Sequence, residues 1–522
     1  MTHFFDGASK ELRKNIFLKD GTLFISDAWK GESELIEFIG VARRRDGIFK
    51  TEYLSVENFQ KSFARHNIDV SPDDEADNND VRNYAIRLLK TAYEENASDI
   101  HIADYGTNGV IQFRCLGMLR LYENLPGTKT QVLMKILYDT FGQQQTTTGF
   151  TPRVRQDGRI AKREYLPEQV HSIRVHTEPL ECAQADNGTG CLMLLRLLYD
   201  RTSATGTLDN RLTMLGYGPS DIERFRLLTE RKGTVYIAGQ TGHGKSTLLK
   251  HIMEAQVEES PEKSLQSIED PPEYPLIGVK QIMVNPGDPI ADPAARSRLY
   301  IEAIAGAMRS DPDWLMIGEI RYPDAAVAAI DAALTGHSVW STIHGGSALG
   351  ILLRMVSLLN SAHYAAPLEY LCDHNVTAGL IYQCLVPVLC PDCKQPLLET
   401  HRKDLEYRQE VLPDNAFDRL RKTVNHSEGV CIRGKGCKTC KNVGFVEQTV
   451  AAEVIATNQT LLNYVRNGST LDAYSYWRNS MGGKTYIEDA ISKIEAGILD
   501  PRMTELRLGV PLNFDSQERN KC

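Results

Sequence analysis

Long hydrophobic runs are missing from this chain of 522 residues. None approaches the ~20 apolar residues that a membrane-spanning helix needs, so a helical membrane protein is excluded. The opening stretch Met-Thr-His-Phe-Phe-Asp-Gly-Ala-Ser-Lys-Glu also lacks the charged-then-apolar layout of a signal peptide, and a cytoplasmic chain is expected. Basic charge is in short supply: 59 Lys and Arg against 68 Asp and Glu leave a net charge of −9. Nothing global therefore draws the chain to nucleic acid or to an acidic membrane surface. Eleven cysteines in a chain this long make no disulfide framework. No internal repeat is visible. What is there is ordinary for a soluble globular protein, 42% hydrophobic and 24% charged residues, and the length suits three or four domains.

Four cysteines form two tight pairs, Cys390-Pro-Asp-Cys393 and Cys437-Lys-Thr-Cys440. Two such knuckles read as a tetrahedral thiolate zinc site, with a redox dithiol or accidental spacing as the alternative. The knuckles stand further apart than in common zinc ribbons, so an inserted helical segment is expected between them. Cys431 lies near the second knuckle and is set aside as a decoy. Cys115, Cys182, Cys191, Cys372 and Cys384 read as small buried hydrophobes.

Along the chain, residues 1–70 carry no motif and form a variable N-terminal region, a candidate for partner docking. Residues 71–80 are acidic and core-poor and read as a linker. Residues 81–205 look like one α+β domain: Val81 to Tyr93 has helical spacing, while 97–102, 109–114, 158–161 and 170–175 are strand-like. Within it, the polar tract 143–148 reads as a surface loop; at its end, polar residues 201–212 read as a hinge. Alternating strands and helices over 206–385 predict an α/β core with a parallel sheet. The cysteine module covers 386–450. Residues 451–522 are expected to be helical, broken at Met481-Gly-Gly-Lys484 and rebuilt from Thr485 to Ala496.

The most specific feature is Gly239-Gln240-Thr241-Gly242-His243-Gly244-Lys245-Ser246-Thr247. The β-branched stretch Thr234 to Ala238 precedes it, and a helix-like stretch from Ser246 to Ala255 follows. Strand, glycine-rich loop, Gly-Lys-Ser and helix are the parts of a P-loop. Glycines let the backbone turn its N–H groups onto phosphate oxygens, and the helix N-terminus adds its positive end. Lys245 is then the ligand of the β- and γ-phosphates of ATP, and Ser246 the ligand of Mg²⁺.

Three later segments bear on the type of chemistry. Ser267-Ile-Glu-Asp-Pro-Pro-Glu273 ends a strand in carboxylates that can orient a water or hold Mg²⁺ through water; taken alone, such a segment is more often an acidic turn. Asp313-Trp-Leu-Met-Ile-Gly-Glu319 is a buried strand that delivers Glu319 to the crevice where α/β sheets bind ligands, as a Walker-B-like carboxylate. Thr335-Gly-His337-Ser-Val-Trp-Ser-Thr-Ile-His344 brackets another buried strand with two histidines. Neutral histidines there can sense a γ-phosphate, although a lone histidine is more often a satisfied core residue.

These segments, in this order and followed by the two cysteine knuckles, resemble the bacterial type II secretion and type IV pilus assembly ATPases, whose boxes are Walker A, Asp box, Walker B and His box. Upstream, Ala97-Ser-Asp-Ile-His-Ile102 and Arg155-Gln-Asp-Gly-Arg159 resemble the family's second N-terminal domain. The resemblance implies a RecA-like P-loop ATPase core, a preceding PAS-like α+β domain and a zinc-binding C-terminal module. It implies Glu273 as the catalytic base, Glu319 as the Walker B glutamate, and His337 and His344 as the paired histidines. Arg159 and Arg174 match arginines offered to the nucleotide, and Cys390, Cys393, Cys437 and Cys440 match zinc ligands. A homo-hexamer is implied, cytoplasmic and held at the inner membrane through a polytopic platform protein, acting indirectly on pilins or pseudopilins.

The chain departs from the family where Tyr322-Pro-Asp-Ala325 follows Walker B, where Gly345-Gly-Ser follows His344, at Gln383-Cys384-Leu385 and at Arg114-Cys-Leu-Gly117. A divergent branch, such as a conjugative thin-pilus system, fits these departures. Two other readings stay open. A RecA-like DNA-translocating motor is disfavoured by the acidic charge, and a retraction-type ATPase by the cysteine knuckles.

Overall fold

The computed structural model describes residues 9, 12, 15–19, 22–46, 50–54, 78–144, 149–183, 188–199, 206–284, 293–397, 419–420, 422–424 and 427–513. The chain divides into two compact units, Met1–Arg201 and Thr202–Cys522.

The first unit opens with structure that no motif announces. Strands β1 (Ile16–Lys19) and β2 (Thr22–Ser26) pair antiparallel, and β3 (Lys50–Leu54) lies parallel to β2. Helix α1 (Ser33–Asp46) closes a small core of Leu35, Phe38 and Ala42 over Ile16, Leu23 and Ile25. The acidic stretch is not wholly a linker. Its last three residues begin α2 (Asn78–Glu94), and 71–77 lie outside the described residues. Asn and Asp are favoured where the first N–H groups of a helix lack partners, so the same composition suits a helix start.

A seven-stranded antiparallel sheet follows, in the order β6-β5-β4-β10-β9-β8-β7. Its strands are β4 (Ala97–Asp104), β5 (Asn108–Cys115), β6 (Met118–Pro126), β7 (Gln143–Gln144), β8 (Gln156–Ile160), β9 (Val170–Glu181) and β10 (Thr189–Tyr199). Ile100, Ile102, Ile173, Val175, Met193 and Leu195 pack against Leu88 and Leu89 of α2 and Leu133 of α3 (Gly127–Lys135). Side chains alternate across a strand, so Asp99, His101, Arg174 and Arg196 belong to the opposite face. The expected loop at 143–148 is partly strand, since Gln143 and Gln144 extend the sheet, and 145–148 lie outside the described residues.

Of the expected hinge at 201–212, residues 208–212 are helix and 201–205 lie outside the described residues. Thr207 caps α4 (Leu208–Leu215), and the buried Arg211 ties it to Glu254 at 3.0 Å. Helix α5 (Pro219–Glu230) leads into a sheet ordered β13-β12-β14-β15-β11-β16-β19. Its strands are β11 (Gly233–Ala238), β12 (Leu265–Glu269), β13 (Lys280–Met283), β14 (Trp314–Glu319), β15 (Ser338–Ile343), β16 (Thr377–Leu389) and β19 (Phe445–Ala456). All pair parallel except β19, which is antiparallel to β16. Every residue of β11, β12 and β15 is buried, as a sheet covered on both faces requires.

Alternation along β11 divides the two layers. Val235 and Ile237 pack with α4, α5 and α6 (Lys245–Glu259). Tyr236 and Ala238 pack with α7 (Pro293–Met308), α8 (Pro323–Leu334) and α9 (Gly350–Ser361). A short α10 (Pro367–Leu371) precedes β16.

Between the knuckles, β17 (Gln395–Pro396) pairs with β18 (Cys431–Ile432); most of the expected helical insert lies outside the described residues. Helices α11 (Gln459–Arg466), α12 (Thr470–Ser480), α13 (Tyr486–Glu495) and α14 (Pro501–Leu508) complete the unit. The break at 481–484 is where expected. Gly483 lies against the Trp477 indole, where a Cβ would come within 2.3 Å of the ring, and a Thr485–Glu488 capping box restarts the helix.

Candidate functional site

Strand β11 ends at Ala238 and α6 begins at Lys245, so residues 239–244 form the loop at the C-terminal edge of the parallel strands. Gly244 has φ +74°, and a Cβ there would stand 3.3 Å from Leu385 and from Gln383. A side chain is thus disfavoured both by conformation and by space.

The loop is pinned from behind. Gln383 donates from Nε2 to the His243 carbonyl at 2.6 Å and accepts from the Tyr217 hydroxyl at 2.6 Å. His243 Nδ1 lies 3.2 Å from the Gln240 N–H and 3.1 Å from the Gln383 carbonyl. Burial pushes this ring down to about 4, so it is neutral near pH 7. Lys245 is buried and donates to the Gly239 and Gln240 carbonyls at 2.8 and 3.1 Å. Burial holds its pKa below the ordinary lysine range, while Glu319 and Glu273 act in the opposite sense. Ser246 and Thr247 are half-buried in the first turn of α6.

Glu319 ends β14, and Thr342 and Ser341 of β15 steady that strand by donating to the carbonyls of Gly318 at 2.6 Å and Ile317 at 2.7 Å. The carboxylate accepts from Arg321 Nε at 2.7 Å and stands 2.9 Å from His344 Nε2. Burial, and then the Lys245 charge, lower the pKa of His344. Glu273 lies in the turn after β12, half-buried. The structure therefore gathers residues 239–247, Glu273, Glu319 and His344 at one edge of the sheet.

His337 is not among them. It precedes β15, and its Nδ1 faces Thr335 Oγ1 at 2.9 Å and the Ala332 carbonyl at 3.1 Å. Two residues bracketing one strand stand at its two ends, here roughly 20 Å apart at ~3.3 Å per residue. The strand carries a histidine at each end, as the sequence suggested, so only His344 shares the edge where the loop lies.

Arg159 and Arg174 lie in the first unit, directly opposite each other on β8 and β9. Burial, and then Arg174, lower the pKa of Arg159, whose Nε is buried with no hydrogen-bond partner among the described residues. Register continues the row: Arg196 faces Arg174, Asp99 faces Arg196, and Arg114 faces Asp99. Arg196 donates from Nε to Asp99 at 2.8 Å. Arg196, Asp99 and Arg114 were not read as site residues, because only cross-strand register aligns them with Arg159 and Arg174.

The sulfurs of Cys390, Cys393, Cys437 and Cys440 all lie within 4.8 Å of one another. The pairs 390–437, 393–440 and 437–440 are each 3.7 Å apart. Zn–S bonds of ~2.3 Å at tetrahedral angles put neighbouring sulfurs ~3.8 Å apart, so the donor set fits zinc in chemistry and size. Backbone N–H groups of Cys437 and Gly444 point at the Cys440 sulfur at 3.2 and 3.1 Å, which orients it. Cys431 is outside the cluster, and the five other cysteines set aside are buried.

Fold and loop together define a P-loop nucleotide-binding protein of the mixed α/β class. The chain belongs to the family described as type II/IV secretion system protein, whose profile matches residues 74–507. It is 29% identical over 425 residues to the type II secretion system ATPase E of Vibrio cholerae, covering 81% of this chain and 72% of that one. Over 432 residues it is 27% identical to the type IV pilus assembly ATPase PilB of Thermus thermophilus, covering 81% of this chain and 42% of that longer protein. In fold it is similar to the Legionella pneumophila ATPase DotB, with a TM-score of 0.56 and 20% identity over 85% of this chain and 99% of that one. The pilus retraction motor PilT gives 0.52 and 18%, over 84% and 99%. Among the described residues no helix is long and apolar enough to cross a membrane.

Proposed function

We propose that this chain is a motor ATPase whose RecA-like core hydrolyses ATP to drive type IV pilus or pseudopilus assembly, or protein secretion, through an inner-membrane platform protein. One observation carries the reading: the P-loop with its buried lysine, the Glu273 turn, and Glu319 in contact with His344 all follow the C-terminal ends of parallel strands, at one edge of the sheet. Phosphoryl transfer needs that grouping of a cation for the phosphates, a carboxylate near the metal and a base for the attacking water.

In this reading Lys245 and the N–H groups of residues 239–247 hold the phosphates, and Ser246 is the protein's ligand to Mg²⁺. Mg²⁺ supplies charge neutralisation of the phosphate oxygens. With Mg²⁺ bound, Glu319 would be the carboxylate beside it, Glu273 would accept the proton of the attacking water, and His344 would report on the γ-phosphate through its contact with Glu319. Arg159 and Arg174 supply positive charge to phosphate oxygens, as the family resemblance implies. The PAS-like description of the domain carrying them belongs to the same proposal, as do the homo-hexamer, the platform partner and the cytoplasmic location. The four-cysteine set supports an assembly rather than a retraction motor.

Lys245→Ala in the purified full-length chain should lower ATP turnover at least about 100-fold, the scale expected when a transition-state charge partner is removed. Turnover equal to that of the parent would remove the P-loop from the chemistry.

A further inference from the structure

We infer that Gln281 is a positioning residue for ATP hydrolysis: its side-chain amide fixes the turn that presents Glu273. The inference rests on the reading of Glu273 as the base. Gln281 lies on β13, the edge strand, in a stretch that no motif marks. Its Nε2 donates to the Tyr274 carbonyl at 2.9 Å and to Glu269 Oε1 at 3.0 Å, and its Oε1 accepts from the Leu276 N–H at 2.9 Å. Both N–H donors of the amide are thereby committed. Two of the three bonds go to backbone groups one and three residues beyond Glu273.

The third bond reaches the turn by another route. Glu269, the buried last residue of β12, accepts the Glu273 backbone N–H as well as Ser267 Oγ at 2.8 Å. Burial raises the pKa of this carboxyl, so its hold on the turn depends on donors such as Gln281. From the other side, Lys250 of α6 stands 5.5 Å from the centre of the Tyr274 ring. A turn outside regular secondary structure is thus held at Glu273, Tyr274 and Leu276, and one amide serves two of these points directly and the third through Glu269. Displacing a catalytic group by ~1 Å costs on the order of 100-fold in rate, so such a clamp matters to turnover more than to binding.

The test uses the full-length protein with Gln281→Leu, Gln281→Glu and Glu273→Gln, reading kcat, KM for ATP, affinity for a fluorescent ADP and melting temperature. Gln281→Leu should lower kcat about 10- to 100-fold while KM and ADP affinity stay within about twofold. Gln281→Glu removes both donors and sets a carboxylate beside Glu269. Around this pair, Glu273 acts on Glu269, Asp270 and Glu269 both act on Tyr300 of α7, Lys250 of α6 faces the Tyr274 ring, and Lys280, next to Gln281 on β13, donates to Ser264 instead. Two adjacent carboxyls share a proton, so a donor returns only as the pH falls. This variant should be slow at pH 8 and recover toward pH 6, a profile opposite to the acid loss expected of a chain relying on an ionised Glu273.

If Gln281→Leu fails to fold, the pH profile of Gln281→Glu decides alone. A Gln281→Leu kcat within twofold of the parent, a fall in kcat matched by loss of ADP affinity, or a Gln281→Glu profile parallel to the parent's would overturn the inference. Glu273→Gln separates the two levels. If it turns over like the parent, the reading of Glu273 fails; if it is inactive while Gln281→Leu is active, only the positioning role fails.

Discussion

His243 shows how much one side chain in the loop does. Its ring occupies the space beneath Gly239 and meets Gln240 and Gln383, so the loop is supported from inside as well as through the Gln383–Tyr217 chain. That burial has a pH signature. The unfolded chain protonates the ring near its ordinary 6.5, and the folded chain only at about 4. Between those values the unfolded state binds more protons, so acid favours unfolding. The ring's contribution is fully present above the unfolded value and falls by roughly 3 kcal/mol as the pH drops to the folded one. Plotting unfolding free energy against pH for the parent and His243→Gln should give a shallower acid slope in the variant; identical slopes would show that the ring titrates alike in both states. At this scale the loop was legible because strand, glycines, Lys245 and helix are contiguous. His337 and His344 were not told apart, because which end of their strand meets the loop depends on the direction in which β15 runs beside β11. Gln281 carried no signal, since an amide's value lies in what the fold places around it.

Elements were legible wherever their pattern is local. The buried strands announced themselves as apolar runs, and Met481-Gly-Gly-Lys484 marked the gap before α13. Why that gap needs glycine was not legible, because Trp477 becomes the floor beneath Gly483 only after α12 packs. Gly483→Ala would press a methyl against an indole that is 1% exposed and cannot yield. Overpacking of this kind costs about 1–3 kcal/mol, so the variant should melt earlier and expose the segment around 481–484 to proteolysis. A cleavage pattern and melting point matching the parent would mean the turn shifts freely. The first turn of α2 and the β1–β3 layer failed for the opposite reason. Polar residues at a helix start look like a linker, and a core whose seven buried members among the described residues are scattered over 12–42 leaves no periodic run long enough to read.

At the scale of the whole molecule, the order of boxes along the chain foretold an α/β core, and the topology explains why that order works. Strands β11, β12, β14 and β15 run parallel, so the P-loop, the Glu273 turn, Glu319 and His344 emerge at one edge although 105 positions separate Gly239 from His344. The cysteine site lies beyond that same edge, at the end of the β16–β19 ladder, which runs on past the end of β11. Strand β16 runs directly into Cys390, the second knuckle leads directly into β19, and the Cys390 N–H donates to the Gly444 carbonyl at 2.9 Å. A metal there would clamp the antiparallel edge pair where its ladder ends. Binding energy at such a site is folding energy, because the four thiolates are dispersed when the chain is unfolded. The parent should carry one zinc per chain by elemental analysis, and Cys390→Ser a small fraction of it. Chelation should lower the melting temperature and loosen hydrogen-exchange protection first at Val386–Leu389 and Phe445–Glu447, leaving β11 and α6 protected. Equal zinc in parent and variant would reject the site. Uniform loosening across the sheet would show that the metal stabilises the unit as a whole rather than its edge.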